Sequence, residues 1–316
     1  MRNAGRMFAF GLILVFACMR GAVGGETCDP GVSPFTPWRT LIHGLVQDDP
    51  LAATRTRRQS LRLVAPVAVA ARGNDVYVLD AMQNVVLRFD LGLGTLARIA
   101  AWRGSALGAE LVVDRDLTFT LLDPRSGTIS QYSRDGALLR QLDGGNWPGR
   151  PTTLVPDTNR GGYLVADGLA PQIVALDGLG AVRGTLGGDA AAPLPVQRID
   201  ALAAGRERLY VVDRAAHEVV VLARDGAVLG RFGGQDLKLP TAIAVDEYER
   251  VLVADSFDSR VKLFVDGTLS ATAERGGGAP GRFREVRDLW VDGALVYVCD
   301  TLGARVEILH LDPPCP

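Results

Sequence analysis

The chain has 316 residues, 47% of them hydrophobic and 22% charged, with a formal net charge of −2. That balance is globular, and it excludes the strongly basic surface a nucleic-acid partner requires. Thirty-seven glycines and seventeen prolines beside four methionines speak for many turns and against long helices.

Residues 1–24 read as an export leader: MRNAGR carries two arginines, MFAFGLILVFA is apolar, and GAVGG offers small residues for cleavage. The apolar run is too short to span a bilayer. Losing Arg2, Arg6 and Arg20 with the leader brings the net charge to about −5. Cys18 directly follows the apolar run, as in a bacterial lipobox, although Phe16 is bulkier than such boxes prefer. The expected location is extracytoplasmic, periplasmic or secreted. A membrane partner is expected only through a lipid on Cys18. Residues 25–64 form an N-terminal arm ahead of the patterned region.

From residue 65 an aspartate follows an apolar run six times: VYVLD at Asp80, TFTLLD at Asp123, YLVAD at Asp167, LYVVD at Asp213, LVAD at Asp255 and VYVCD at Asp300. Successive aspartates stand 43, 44, 46, 42 and 45 residues apart, which is the mark of a repeat architecture. Each copy opens on an apolar strand such as AIAV (Ala242–Val245), turns, and runs to the aspartate. A short turn then leads to an alternating strand (VVLRF, VVVL, VKLF), an Asp-Gly-type hairpin turn, and a weaker strand ending at Gly-Gly. Four short strands per copy without helical period predict an antiparallel blade. Six blades arranged radially hide both faces of each, so residues 65–316 are expected to form an all-β six-bladed propeller.

The sixth copy ends soon after Leu311 and lacks its outer strand. Either Trp38–Val46 or Leu61–Val64 of the arm is suited to complete it; the sequence leaves both open. With Cys18 removed or lipidated, three cysteines remain. Cys28 and Cys315, beside this seam, are natural disulfide partners in an oxidising compartment. Cys299, inside YVCD, reads as a buried thiol. The spacings match no zinc signature.

Two copies, LPTAIAVDEYERVLVADSFDSRVKLFVDG (Leu239–Gly267) and PGRFREVRDLWVDGALVYVCDTLGARVEIL (Pro280–Leu309), resemble the NHL-repeat family of β-propellers. The resemblance runs from Pro66 to Leu311. In copies two and three, Phe119 and Tyr163 are displaced from the usual aromatic position, and Pro171 interrupts a turn. Relatives of this fold include peptidyl-hydroxyglycine amidating lyases, which hold zinc through histidines in these turns. Here only His217, four residues after Asp213, occupies such a place. Asn84, Gly127, Pro171, Ser259 and Ala304 stand at the equivalents, and His43 and His310 lie outside the motif. The Glu, Asn and Asp pattern of gluconolactonases has no convincing match. Neither a metal nor a cofactor is expected, and there is no G-x-S-x-G elbow or H-E-x-x-H helix. The six aspartates read as turn residues that accept backbone N–H bonds rather than as a Ca²⁺ ring.

The turns after the aspartates and the loops entering each blade share one end of a propeller. On it fall Trp102 with Arg103, Trp147 with Arg150, Arg214 with His217, Phe257 with Arg260, Arg282 with Phe283, and Arg305. Exposed aromatics and arginines are enriched at binding hot spots, though Trp102 and Phe283 also suit wedges between blades. Asp189, Glu218, Asp236 and Asp258 dilute the positive charge, so no nucleic acid is expected there. The expected function is a non-catalytic binding or scaffold module for an extracytoplasmic protein, peptide or glycan. The alternative is a metal-dependent lactonase or lyase using the same face.

Overall fold

In a computed structural model of the protein, the sequence repeat becomes six four-stranded antiparallel blades around a channel; residues 33–46, 60–105, 108–142, 151–167, 170–187, 193–273 and 283–314 are described. The arm supplies β1 (Phe35–Leu41), β2 (His43–Val46) and β3 (Ser60–Arg62). Blade one is β4 (Pro66–Arg72), β5 (Asp75–Asp80), β6 (Val85–Asp90) and β7 (Thr95–Ala101). Blade two is β8 (Glu110–Val113), β9 (Phe119–Asp123), β10 (Thr128–Tyr132) and β11 (Leu138–Leu142). Blade three is β12 (Pro151–Pro156), β13 (Tyr163–Asp167), β14 (Gln172–Leu176) and β15 (Val182–Gly187). Blade four is β16 (Ala201–Ala204), β17 (Arg208–Asp213), β18 (Glu218–Ala223) and β19 (Val228–Phe232). Blade five is β20 (Pro240–Val245), β21 (Val251–Asp255), β22 (Arg260–Val265) and β23 (Thr268–Ala273), and blade six is β24 (Val286–Asp292), β25 (Leu295–Asp300) and β26 (Arg305–Leu311) with β1.

The first arm segment is split between blades six and one, and the second joins blade one. β1 lies antiparallel on β26 from Phe35 opposite Leu311 to Leu41 opposite Val306, giving blade six its outer strand. The chain then crosses to blade one, where β2 runs parallel to β7 and antiparallel to β3. Blade one is therefore a six-stranded sheet. One arm straddles the seam where the ring closes.

The second strand of every blade is buried on both faces, and its period of two decides which neighbour each side chain meets. Residues one and three before the aspartate pack forward onto the next blade: Tyr77 and Leu79 against blade two, Tyr210 and Val212 against blade five, Tyr297 and Cys299 against blade one. Residues two and four before it pack backward. Phe119 thus meets Tyr77 of blade one, with ring centroids 5.1 Å apart, and Tyr163 joins the core shared with blade two. The displaced aromatics of copies two and three are the same wedges with reversed parity. Six apolar clusters result, one at each blade interface.

Blades six and one are also laced at the channel. Asp288, Trp290 and Asp292 alternate along β24 and reach the backbone of β4 in step. Asp288 Oδ2 accepts the Val69 N–H at 2.8 Å, Trp290 Nε1 donates to the Ala71 carbonyl at 2.7 Å, and Asp292 Oδ2 accepts the Gly73 N–H at 2.7 Å. These side chains stand in for the ladder that two neighbouring blades lack.

Candidate functional site

The repeated aspartates are fully occupied by architecture. Asp255 accepts the N–H groups of Lys238 and Leu239 from the inter-blade loop, and that of Phe257 from its own turn. Asp300 does the same for Arg284, Glu285 and Gly303, and Asp80 for Val64, Ala65 and Gln83. Each of these three carboxylates ties the loop entering a blade to the turn beyond its second strand. The ion pairs of Lys262 with Asp255 and of Arg305 with Asp300 are buried beside them; hydrogen bonds from Lys262 and the backbone hold the Asp255 carboxyl below the usual range despite its burial.

His217 belongs to the same turn geometry. It has φ +58°, and Asn84, Gly127, Ser259 and Ala304 at the equivalent places also have positive φ. Histidine and asparagine tolerate this left-handed region better than most residues. Pro171 cannot enter it, because its ring locks φ near −65°. The His217 ring contacts the Lys238 carbonyl. Among the described residues no three His, Cys, Asp or Glu side chains are placed to hold a metal.

The predicted binding-face residues fall into three groups. Trp102 is only 6% exposed, in the core between blades one and two. Arg305 is buried with Asp300 and Glu307, and Phe283 is buried between blades five and six. A side chain closed into an interface offers no contact area to a partner, so these three are packing residues. Arg214, His217, Phe257, Arg260 and Arg103 remain at the surface on the expected end. Trp147, Arg150, Arg282, Asp189, Cys28 and Cys315 lie outside the described residues. Cys299 is a free, buried thiol whose pKa burial pushes well up.

The principal cavity lies in the channel. It measures about 730 Å³ and is walled by the inner strands β4, β8, β12, β16, β20 and β24. It is also lined by the turns Asp114–Thr118 and Asp157–Gly162, which follow inner strands. Those turns lie at the opposite end from the aspartate turns. The wall mixes apolar side chains and the Trp290 indole with charged groups of both signs: Arg72, Arg115 and Arg160, and Glu110, Asp114, Asp116, Asp157 and Asp288. Burial pushes the Asp288 carboxyl up to about 7, against the lowering effect of its two backbone N–H bonds. Burial, and then the nearby charge of Asp288, also hold Glu110 well above the usual carboxylate range. Asp114 is raised by burial while the Tyr163 hydroxyl, donating to Oδ2 at 2.6 Å, pulls it back.

None of these channel groups belongs to the expected face. The available signal was a charge inside an inner strand: Asp288 in VRDLW and Glu110 in AELVV interrupt runs that read simply AIAV in blade five. Asp288 is raised by desolvation in the channel wall, not by a sequence motif.

No protein-family model matches this chain, and no curated protein is similar to it in sequence. Solved structures do match. A gluconolactonase from Xanthomonas campestris aligns with a TM-score of 0.61 at 17% identity, covering 87% of this chain and 98% of its own. Virginiamycin B lyase from Staphylococcus aureus aligns at 0.56 and 12%, covering 80% and 98%. A protein of unknown function from Bacteroides thetaiotaomicron aligns at 0.62 and 14%, covering 87% and 75%. At such identities the likeness is one of fold: the chain is a six-bladed β-propeller.

Proposed function

We propose that this chain is a non-catalytic, extracytoplasmic binding propeller of NHL type that holds a peptide or glycan segment at the mouth of its central channel. The observation that carries the reading is the cavity of about 730 Å³, whose wall combines apolar side chains, a fixed indole and charged groups of both signs. Concave pockets of roughly 300–1,000 Å³ are the usual form of small-ligand sites. This moves the ligand from the expected loop face to the other end of the molecule.

Trp290 supplies the test. Titration with peptide and oligosaccharide collections, followed by tryptophan emission, is expected to give saturable changes that Trp290→Phe removes and Arg72→Ala weakens. A response unaffected by both variants would place the ligand elsewhere.

One observation favours a second reading, a lactonase or lyase in the same channel. Glu110 and Asp288 are partly buried acids in the channel wall that influence each other, and a group near pKa 7 is suited to general acid–base work at neutral pH. Hydrolysis of simple lactones by the wild type, lost in Asp288→Asn with folding intact, would establish it.

A further inference from the structure

At the end of the molecule opposite the channel mouth, the second residue after each repeated aspartate is the tip of its turn. In three consecutive blades that tip is a large apolar side chain standing in solvent: Phe257 in blade five, Leu302 in blade six and Met82 in blade one, 65%, 63% and 71% exposed. Leu239 and Val64, in the loops entering blades five and one, are exposed beside them. Blades two and four carry Arg125 and Ala215 at the equivalent tips; Leu169 of blade three lies outside the described residues. Among the described residues the apolar tips occupy one continuous sector.

Two of the tips have a cation from the loop entering their own blade. Lys238 Nζ stands 4.7 Å from the centroid of the Phe257 ring. Arg284 Nη1 donates to the Leu302 carbonyl at 3.3 Å. The Arg62 carbonyl accepts Gln83 Nε2, next in sequence to Met82, at 2.9 Å. Lys238, Arg284, Arg62 and the nearby Arg260 are all exposed. Of the acids in this sector, Asp258 is bonded to Lys262 and Glu285 to Arg287, leaving Asp236 exposed at the rim.

We propose that this sector docks the propeller onto an anionic lipid surface. Equivalent positions of equivalent turns stand at equal height around a ring, so the three tips enter one plane together. Protruding apolar residues ringed by cations suit a bilayer interface, where apolar groups enter the acyl boundary and Lys and Arg stay at the phosphates. Among the described residues no helix is long and apolar enough to cross a membrane; the proposed attachment is peripheral. It requires no lipid on Cys18, is independent of the channel ligand, and turns the channel mouth away from the lipid.

The test uses the full chain carrying Cys18→Ser, with vesicles of phosphatidylcholine containing one quarter phosphatidylglycerol. Cosedimentation is expected to be salt-sensitive, absent from pure phosphatidylcholine, and weakened about tenfold or more by Phe257→Ser with Leu302→Ser. Arg284→Glu with Lys238→Glu should weaken it comparably. Leu229→Ser, at an exposed apolar position on the outer strand β19, should leave it unchanged. A depth-sensitive readout separates the tips from any contribution of the apolar leader: an indole introduced by Phe257→Trp should be quenched by brominated acyl chains, and one introduced by Leu229→Trp should not. Equal quenching at both positions, or vesicle binding indifferent to the tip variants, overturns the proposal. So does tight, tip-dependent binding of a poly-glutamate peptide without affinity for the vesicles, which would make the sector a protein-docking surface.

Discussion

Ala304 shows how one backbone angle decides what a residue is for. Its φ of +52° repeats a left-handed position that Gly127 fills without strain in blade two. A non-glycine residue there costs roughly 1–2 kcal/mol, partly offset by the extra chain entropy of glycine when unfolded. Ala304→Gly is expected to stabilise the protein by about 0.5 kcal/mol in urea unfolding; a loss would show that the turn is not strained. At the channel, Asp288 and Glu110 give a pH signature. Their folded pKa values are raised, so the folded protein binds more protons than the unfolded chain between about pH 4, where free carboxyls titrate, and pH 7. Their contribution to stability therefore falls as pH rises through that window. Melting between pH 5 and 8 should drop less in Glu110→Gln than in the wild type. Identical drops would mean the pair does not titrate there.

Strand parity is the decisive property at the scale of the element. Shifting an aromatic by one place along the second strand sends it to the other neighbour, where the hydroxyls of Tyr77, Tyr210 and Tyr163 meet different partners. Tyr77 goes forward to the Leu117 carbonyl at 3.0 Å, and Tyr210 forward to Glu249 at 2.7 Å. Tyr163 goes backward to Asp114 and Thr120. Burial and the Asp114 bond both push the Tyr163 hydroxyl up, so it stays protonated and donating. Tyr163→Phe leaves Asp114 short of that donor in a buried place and is expected to cost about 1–3 kcal/mol, read from chemical unfolding. A neutral result would mean water replaces the hydroxyl. The drift that makes copies two and three look degenerate in sequence is thus a change of direction with its own bonding.

Ring closure belongs to the whole molecule. Blades six and one are joined by the outer strand β1, by the β2–β3 hairpin on blade one, and by the Asp288, Trp290 and Asp292 ladder at the channel. Deleting residues 25–62 removes the first two and bares the β26 edge, which invites association. The truncated chain is expected to aggregate or lose cooperative melting. A soluble, cooperative product would mean that the inner ladder suffices for closure. With the channel mouth and the apolar sector at opposite ends, the same ring supplies two surfaces that can be tested separately.

The spacing of the six aspartates and the alternation around them determined the blades, their number and the missing outer strand, because turn chemistry and a period of two are local properties of the chain. The same local signal marked Asp80, Asp255 and Asp300 as turn residues. It placed Trp102 and Arg305 with surface residues, since a side chain's exposure depends on a neighbouring blade that no local pattern describes. Only the closed ring brought Glu110 and Asp288, 178 positions apart, into one channel, and gave both arm segments a place. Burial and long-range pairing are created when distant blades meet, and the tertiary structure alone decides them.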